Sequence, residues 1–184
     1  MSSPAERPFG QVLTGKDAER YLDLYKLQFE FATLFDYSES SDRSVAIVGP
    51  AYLDTLLREM LINFLVPDER EVSRLMQPDG PLGTYGGRVT ACYCLGLIGP
   101  KIKTDLRLVG KIRNKFAHDL RASFADSDVS SWCQALEWHK ELMMSAPPDG
   151  ATVRDLFQVG VNCLVMHLHG LVGVARLNRR TVRS

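Results

Sequence analysis

The stretch IKTDLRLVGKIRNKFAH, residues 102–118, decides how this chain folds. At about 100° per residue, Ile102, Val109, Ile112 and Phe116 fall on one line, with Leu106 beside them. That spacing predicts an α-helix with one apolar stripe turned toward a core. It sets a first expectation: Ile112 and Phe116 are buried, and Lys111 and Lys115 are not. Across the helix, Lys103, Arg107, Lys111, Asn114 and His118 follow one another at steps of four, four, three and four. Arg113 stands near the edge of the apolar stripe, about 140° from His118 in an ideal helix.

The basic side has a plain reading, because every amphipathic helix turns a polar face to water. Asn114 and His118 are less easily dismissed, since both are indifferent helix formers. A charged imidazole is, however, favoured in the last turn of a helix by the helix dipole. Four residues apart, the two side chains are neighbours. An imidazole beside an amide and several cations could move protons and hold a phosphate. Metal-free RNA cleavage through the ribose 2′-hydroxyl needs those parts. The surrounding cations would favour the neutral, base-competent imidazole by like-charge repulsion. The same face could instead take a partner of opposite charge.

The other segments repeat the helical period. Asp17–Phe35 carries two apolar rows: Leu22, Tyr25, Phe29 and Ala32, and Leu24, Leu27, Phe31 and Leu34. Two rows predict a well-buried helix. A helix from Arg43 to about Leu65 follows, with Ser41 or Asp42 as its cap. Gly49-Pro50 inside it predicts a kink or break, because proline lacks the backbone donor and crowds the preceding turn. Further helices are expected over Glu69–Leu75, Val89–Leu97, Lys101–His118, Val129–Met143 and Val153–Leu177, with polar, Gly- and Pro-rich breaks between them. Gly86-Gly87 should weaken any earlier start of the fourth. The expectation is an all-α, single-domain bundle of about seven helices. Residues 15–178 form the domain, after a disordered segment over 1–14 and before a basic tail over 179–184.

Composition narrows the function. The chain has 184 residues, with 22 Lys and Arg against 22 Asp and Glu, so nothing in its bulk charge suits coating nucleic acid. Cys92, Cys94, Cys133 and Cys163 lack zinc spacing, and no apolar signal segment opens the chain, so they read as buried, reduced thiols of a cytoplasmic protein. Cys92-x-Cys94 and His167-x-His169 cannot each chelate one ion, because residues two apart on a helix point about 200° from each other. No metal and no cofactor is implied. Trp132 and Trp138 read as packing residues. Leu156–Ala175 is interrupted by Gln158, Asn162, His167 and His169, and reads as a buried helix and not as a membrane span.

The motifs SDRSVAIVGPAYLDTLLREML, PLGTYGGRVTACYCLGLI and LVGKIRNKFAHDL, followed by SFADSDV, resemble the mannitol operon repressor family in that order, over about residues 40–130. The resemblance implies a compact all-helical protein tied to transcriptional repression. It also implies no helix-turn-helix, and none is visible here, so no element is available for sequence-specific DNA reading. RNKFAH also resembles the Arg-Asn-x-x-x-His signature of the HEPN superfamily. By that match Arg113, Asn114 and His118 take the motif positions. Some HEPN members are metal-independent ribonucleases whose motifs meet across a dimer, and others are binding modules. Asp42 and Arg43, which open SDRS, read either as a cap and a first-turn charge or as the border of the same cleft. Three functions follow: a regulator that binds another macromolecule, a ribonuclease, and an inactive helical module. For the regulator, the expected surface is Arg107, Lys111, Asn114, His118, Asp42 and Arg43. Its partner would be a protein or a nucleic-acid-bound regulator, with RNA as the alternative, and the chain itself would be a homodimer.

Overall fold

The computed structural model describes residues 14–35, 40–142 and 150–182. Those residues are all helical or irregular, with no strand among them. The helices are α1 (Gly15–Phe35), α2 (Asp42–Phe64), α3 (Glu69–Met76), α4 (Tyr85–Cys94), α5 (Pro100–His118), α6 (Ser127–Gln134), α7 (Trp138–Leu142) and α8 (Val153–Leu177). The bundle is thus the expected one, with the segment 129–143 divided into two pieces. Met143 and residues 1–13 lie outside the described residues.

Helices α2 and α8 form the centre and run in the same direction. Arg154 meets Asp42 at 3.3 Å near their starts, and the Arg180 amide donates to the Phe64 carbonyl at 2.8 Å near their ends. Ser41 caps α2 by accepting from the Ser44 amide at 3.1 Å, and α8 opens on a reciprocal Thr152–Asp155 capping box. Helix α1 lies back along this pair, with Phe31 stacked on Tyr52 at 4.6 Å. Helices α4 and α5 cover another side of α2. The aromatic run Phe116–Phe124–Phe157, with ring centroids 5.0 and 5.3 Å apart, joins α5 to α8. Burying each such side chain fully is worth about 1.5–3 kcal/mol. The stripe on α5 is placed as its spacing requires: Ile102, Leu106, Val109, Ile112 and Phe116 are buried, Lys111 is exposed and Lys115 half-buried.

Several local expectations need correction. Helix α1 is not well buried. Leu24 and Phe31 face the body, but Leu22, Tyr25, Phe29 and Leu34 are 50–62% exposed. The chain offers this peripheral helix one neighbouring surface, and two apolar rows cannot both face it. Helix α2 runs unbroken through Pro50. Gly49 instead permits close approach: a Cβ there would sit 2.7 Å from the Phe35 ring and 3.0 Å from Val161. Helix α4 starts before its two glycines, because Thr84 caps it by accepting from the Gly87 amide at 3.1 Å. The segment 129–143 divides because Asp105 of α5 accepts from the Trp138 amide at 2.8 Å and the Glu137 amide at 3.1 Å, capping a separate α7. All four cysteines are free, but Cys94 is exposed and Cys163 half-buried. Helix α8 is long and apolar enough to cross a membrane by length and composition alone; here its inner face packs on α2, α6 and α7.

Candidate functional site

Helix α5 begins at Pro100, which needs no backbone donor there, and ends at His118. Its polar face meets three different fates. Lys103 turns toward α4 and sets its ammonium 3.7 Å above the Tyr93 ring. Lys115 pairs with Asp119 at 3.4 Å and Asp128 at 3.5 Å. Arg107, Lys111 and His118 are exposed, with no hydrogen-bond or ion-pair partner among the described residues.

The Asn114 amide does not serve His118. Its Oδ1 accepts from Arg113 at 2.9 Å. Arg113 follows one turn after Gly110, where the Tyr85 ring lies so close that a Cβ would meet it at 3.0 Å. The Tyr85 hydroxyl donates to the Leu106 carbonyl at 2.9 Å. Burial pushes the Tyr85 phenol far up, and the charge of Arg113 partly opposes that shift. On an unbroken helix Arg113 and His118 therefore stand apart, about 140° around the axis.

Asp42 and Arg43 are tied into the fold. Asp42 faces Arg154 on α8. Arg43 donates from both terminal nitrogens, to the main-chain carbonyls of Phe116 and Asp119. These are orphan acceptors at the end of α5, and a cation there also suits the helix dipole. Arg43 thus lies beside His118, as a clamp on the helix that carries it.

The arrangement is a convex basic row on one helix, clamped at its C-terminal end. Clefts open elsewhere, among α1, α2, α3 and α8 and beside the α4–α5 turn. A convex row of cations suits a broad acidic surface and does not enclose a small substrate. His167 and His169 serve separate neighbours. The first rests on Trp138, with ring centroids 4.5 Å apart, and the second bonds the Tyr52 hydroxyl through Nε2 at 2.6 Å.

Sequence reasoning missed two surfaces. One is the exposed apolar face of α1, where Tyr25 and Phe29 meet edge to face at 5.1 Å. Its signal was the row Leu22, Tyr25, Phe29 and Ala32, which was assigned to the core. The other is the seat of the C-terminal basic segment, which the sequence marked only as a tail. Arg179 Nε donates to the Asn63 carbonyl at 3.2 Å, and Arg180 lies 5.2 Å from the Phe64 ring centroid. No periodicity marks that return to the end of α2.

No protein-family profile and no curated protein sequence matches the chain. Among solved structures, the chain is similar to the X-ray structure of the MtlR–HPr complex from Escherichia coli. The identity is 19%, the TM-score is 0.58, and the match covers 82% of this chain and 99% of that one. At that identity the likeness establishes a shared all-helical fold. It does not bear on the Arg-Asn-x-x-x-His signature.

Proposed function

We propose that this chain is a regulatory protein that acts by capturing another protein on the exposed face of α5. The observation that carries the reading is the row Arg107, Lys111 and His118: three groups, cationic or able to become so, on one helix and without partners among the described residues. Such a row draws an acidic surface and gives salt-sensitive association. The fold shared with a chain solved in complex with HPr makes HPr the first partner to try. The motifs that resemble the mannitol operon repressor family suit a regulatory setting in the cytoplasm. In this reading Arg43 and Asp42 position the surface and do not contact the partner.

The experiment is capture of HPr from the source organism by the immobilised chain, at low and high salt, beside incubation of the pure chain with single-stranded RNA in EDTA. Capture that weakens with salt, and intact RNA, support the reading. EDTA-resistant RNA cleavage that is lost in His118→Ala would replace it with the ribonuclease.

The chain also pairs with a second copy in this reading, through α1. Ala18, Leu22, Tyr25, Phe29 and Ala32 follow at steps of four, three, four and three, a seam that suits helix pairing. The sizes read alike in both directions, small at the ends and large between. An antiparallel pair would set Tyr25 near the two-fold axis and Leu22 opposite Phe29 of the second copy.

A further inference from the structure

A cleft of about 400 Å³ opens at the end of α2 remote from Arg43 and His118. That volume lies within the range of small-molecule sites. Its floor is apolar, with Ile62, Val72 and Met76 all below 10% exposed. Its rim carries guanidinium groups from three separated parts of the chain: Arg20 of α1, Arg58 of α2, and Arg179 beyond α8.

Two carboxylates also line the cleft, and both are committed. Asp68 caps α3 by accepting from the Glu71 amide at 3.1 Å. Glu69 pairs with Lys16 at 2.8 Å. The Lys16 hydrogen bond and charge, with a smaller contribution from Arg20, hold the Glu69 carboxyl below its usual range. Among the described residues Arg58 forms an ion pair only with its chain neighbour Glu59, at 3.2 Å. Arg20 has no hydrogen-bond or ion-pair partner among the described residues. Arg179 is oriented by its Nε bond to the Asn63 carbonyl. The cleft is therefore electropositive above and greasy below. Arg20 and Arg58 line this same cleft from different helices.

We infer that this cleft binds a small organic anion, with a phosphate or carboxylate head between Arg20 and Arg58 and a short apolar body on Ile62, Val72 and Met76. Planar guanidinium forks match both head groups, and the floor distinguishes such a ligand from an inorganic ion. The occupant would join α1, α2, α3 and the returning C-terminal segment, so binding would raise the stability of the whole fold. The inference does not depend on the α5 surface, whose C-terminal end is clamped to the start of α2.

The test uses the full chain with three probes: phenyl phosphate, phenylacetate and inorganic phosphate. Each is followed by thermal denaturation and isothermal titration. At least one aromatic anion should bind and raise the melting temperature, at least about tenfold more tightly than inorganic phosphate. Phenyl phosphate against phenylacetate decides which head group is preferred. Arg20→Gln and Arg58→Gln should each weaken binding by about tenfold, with helical circular dichroism unchanged. Arg107→Gln should not alter it. The inference is overturned if neither aromatic anion binds. Equal binding of inorganic phosphate, or equal loss in Arg107→Gln, would overturn it too.

Discussion

Arg43 donates from Nη2 to the main-chain carbonyl of Asp119 at 2.8 Å, tying the first turn of α2 to the residue that follows His118. Its other terminal nitrogen donates to the Phe116 carbonyl, so one guanidinium closes the end of α5. The proposed binding row therefore ends on a fixed point.

Arg43→Ala should lower folding stability by about 1–3 kcal/mol, because it leaves part-buried carbonyls without a charged donor. Urea denaturation at neutral pH is the check. An unchanged midpoint would mean that the clamp contributes nothing and that Arg43 is free for a partner.

Stability should fall as pH drops below about 6.5, the ordinary value for histidine. Burial holds the imidazoles of His139, His167 and His169 below that value. The unfolded chain then takes up protons first, and acidification favours it until the folded-state values are reached. Burial moves the Asp105 carboxyl up, which acts in the opposite sense nearer its own range. The urea midpoint should be lower at about pH 5.8 than at about pH 7.5. A midpoint that is equal or higher at the lower pH would contradict these environments.

Self-association should depend on α1. Light scattering at micromolar concentration should give twice 20.6 kDa for the wild type, and 20.6 kDa for Phe29→Glu with its helical content intact. A wild-type monomer would remove the α1 pairing and leave the α5 surface as it stands.

The helices on the core were legible because their apolar residues keep a 3.6-residue period and their caps are local. Ser41, which caps α2, is an example. What escaped was set by residues far away in the chain. The split between α6 and α7 comes from Asp105, about thirty residues earlier. Pro50 sits in an unbroken helix while Gly49 meets Phe35 and Val161. In α1 the period was right and the burial wrong, because periodicity shows that a row is apolar and not what covers it. At the candidate site, the separation of Arg113 from His118 followed from the helical angle alone. The Arg43 clamp did not, since it joins two motifs more than seventy residues apart.

The most direct measurement is isothermal titration of HPr from the source organism into the wild-type chain and into Lys111→Glu, at about 50 mM and about 500 mM salt. The α5 reading predicts binding to the wild type that weakens with salt. It also predicts about tenfold weaker binding to Lys111→Glu at low salt, with unchanged stability. No binding by the wild type, or equal binding by Lys111→Glu at both salt concentrations, would contradict it.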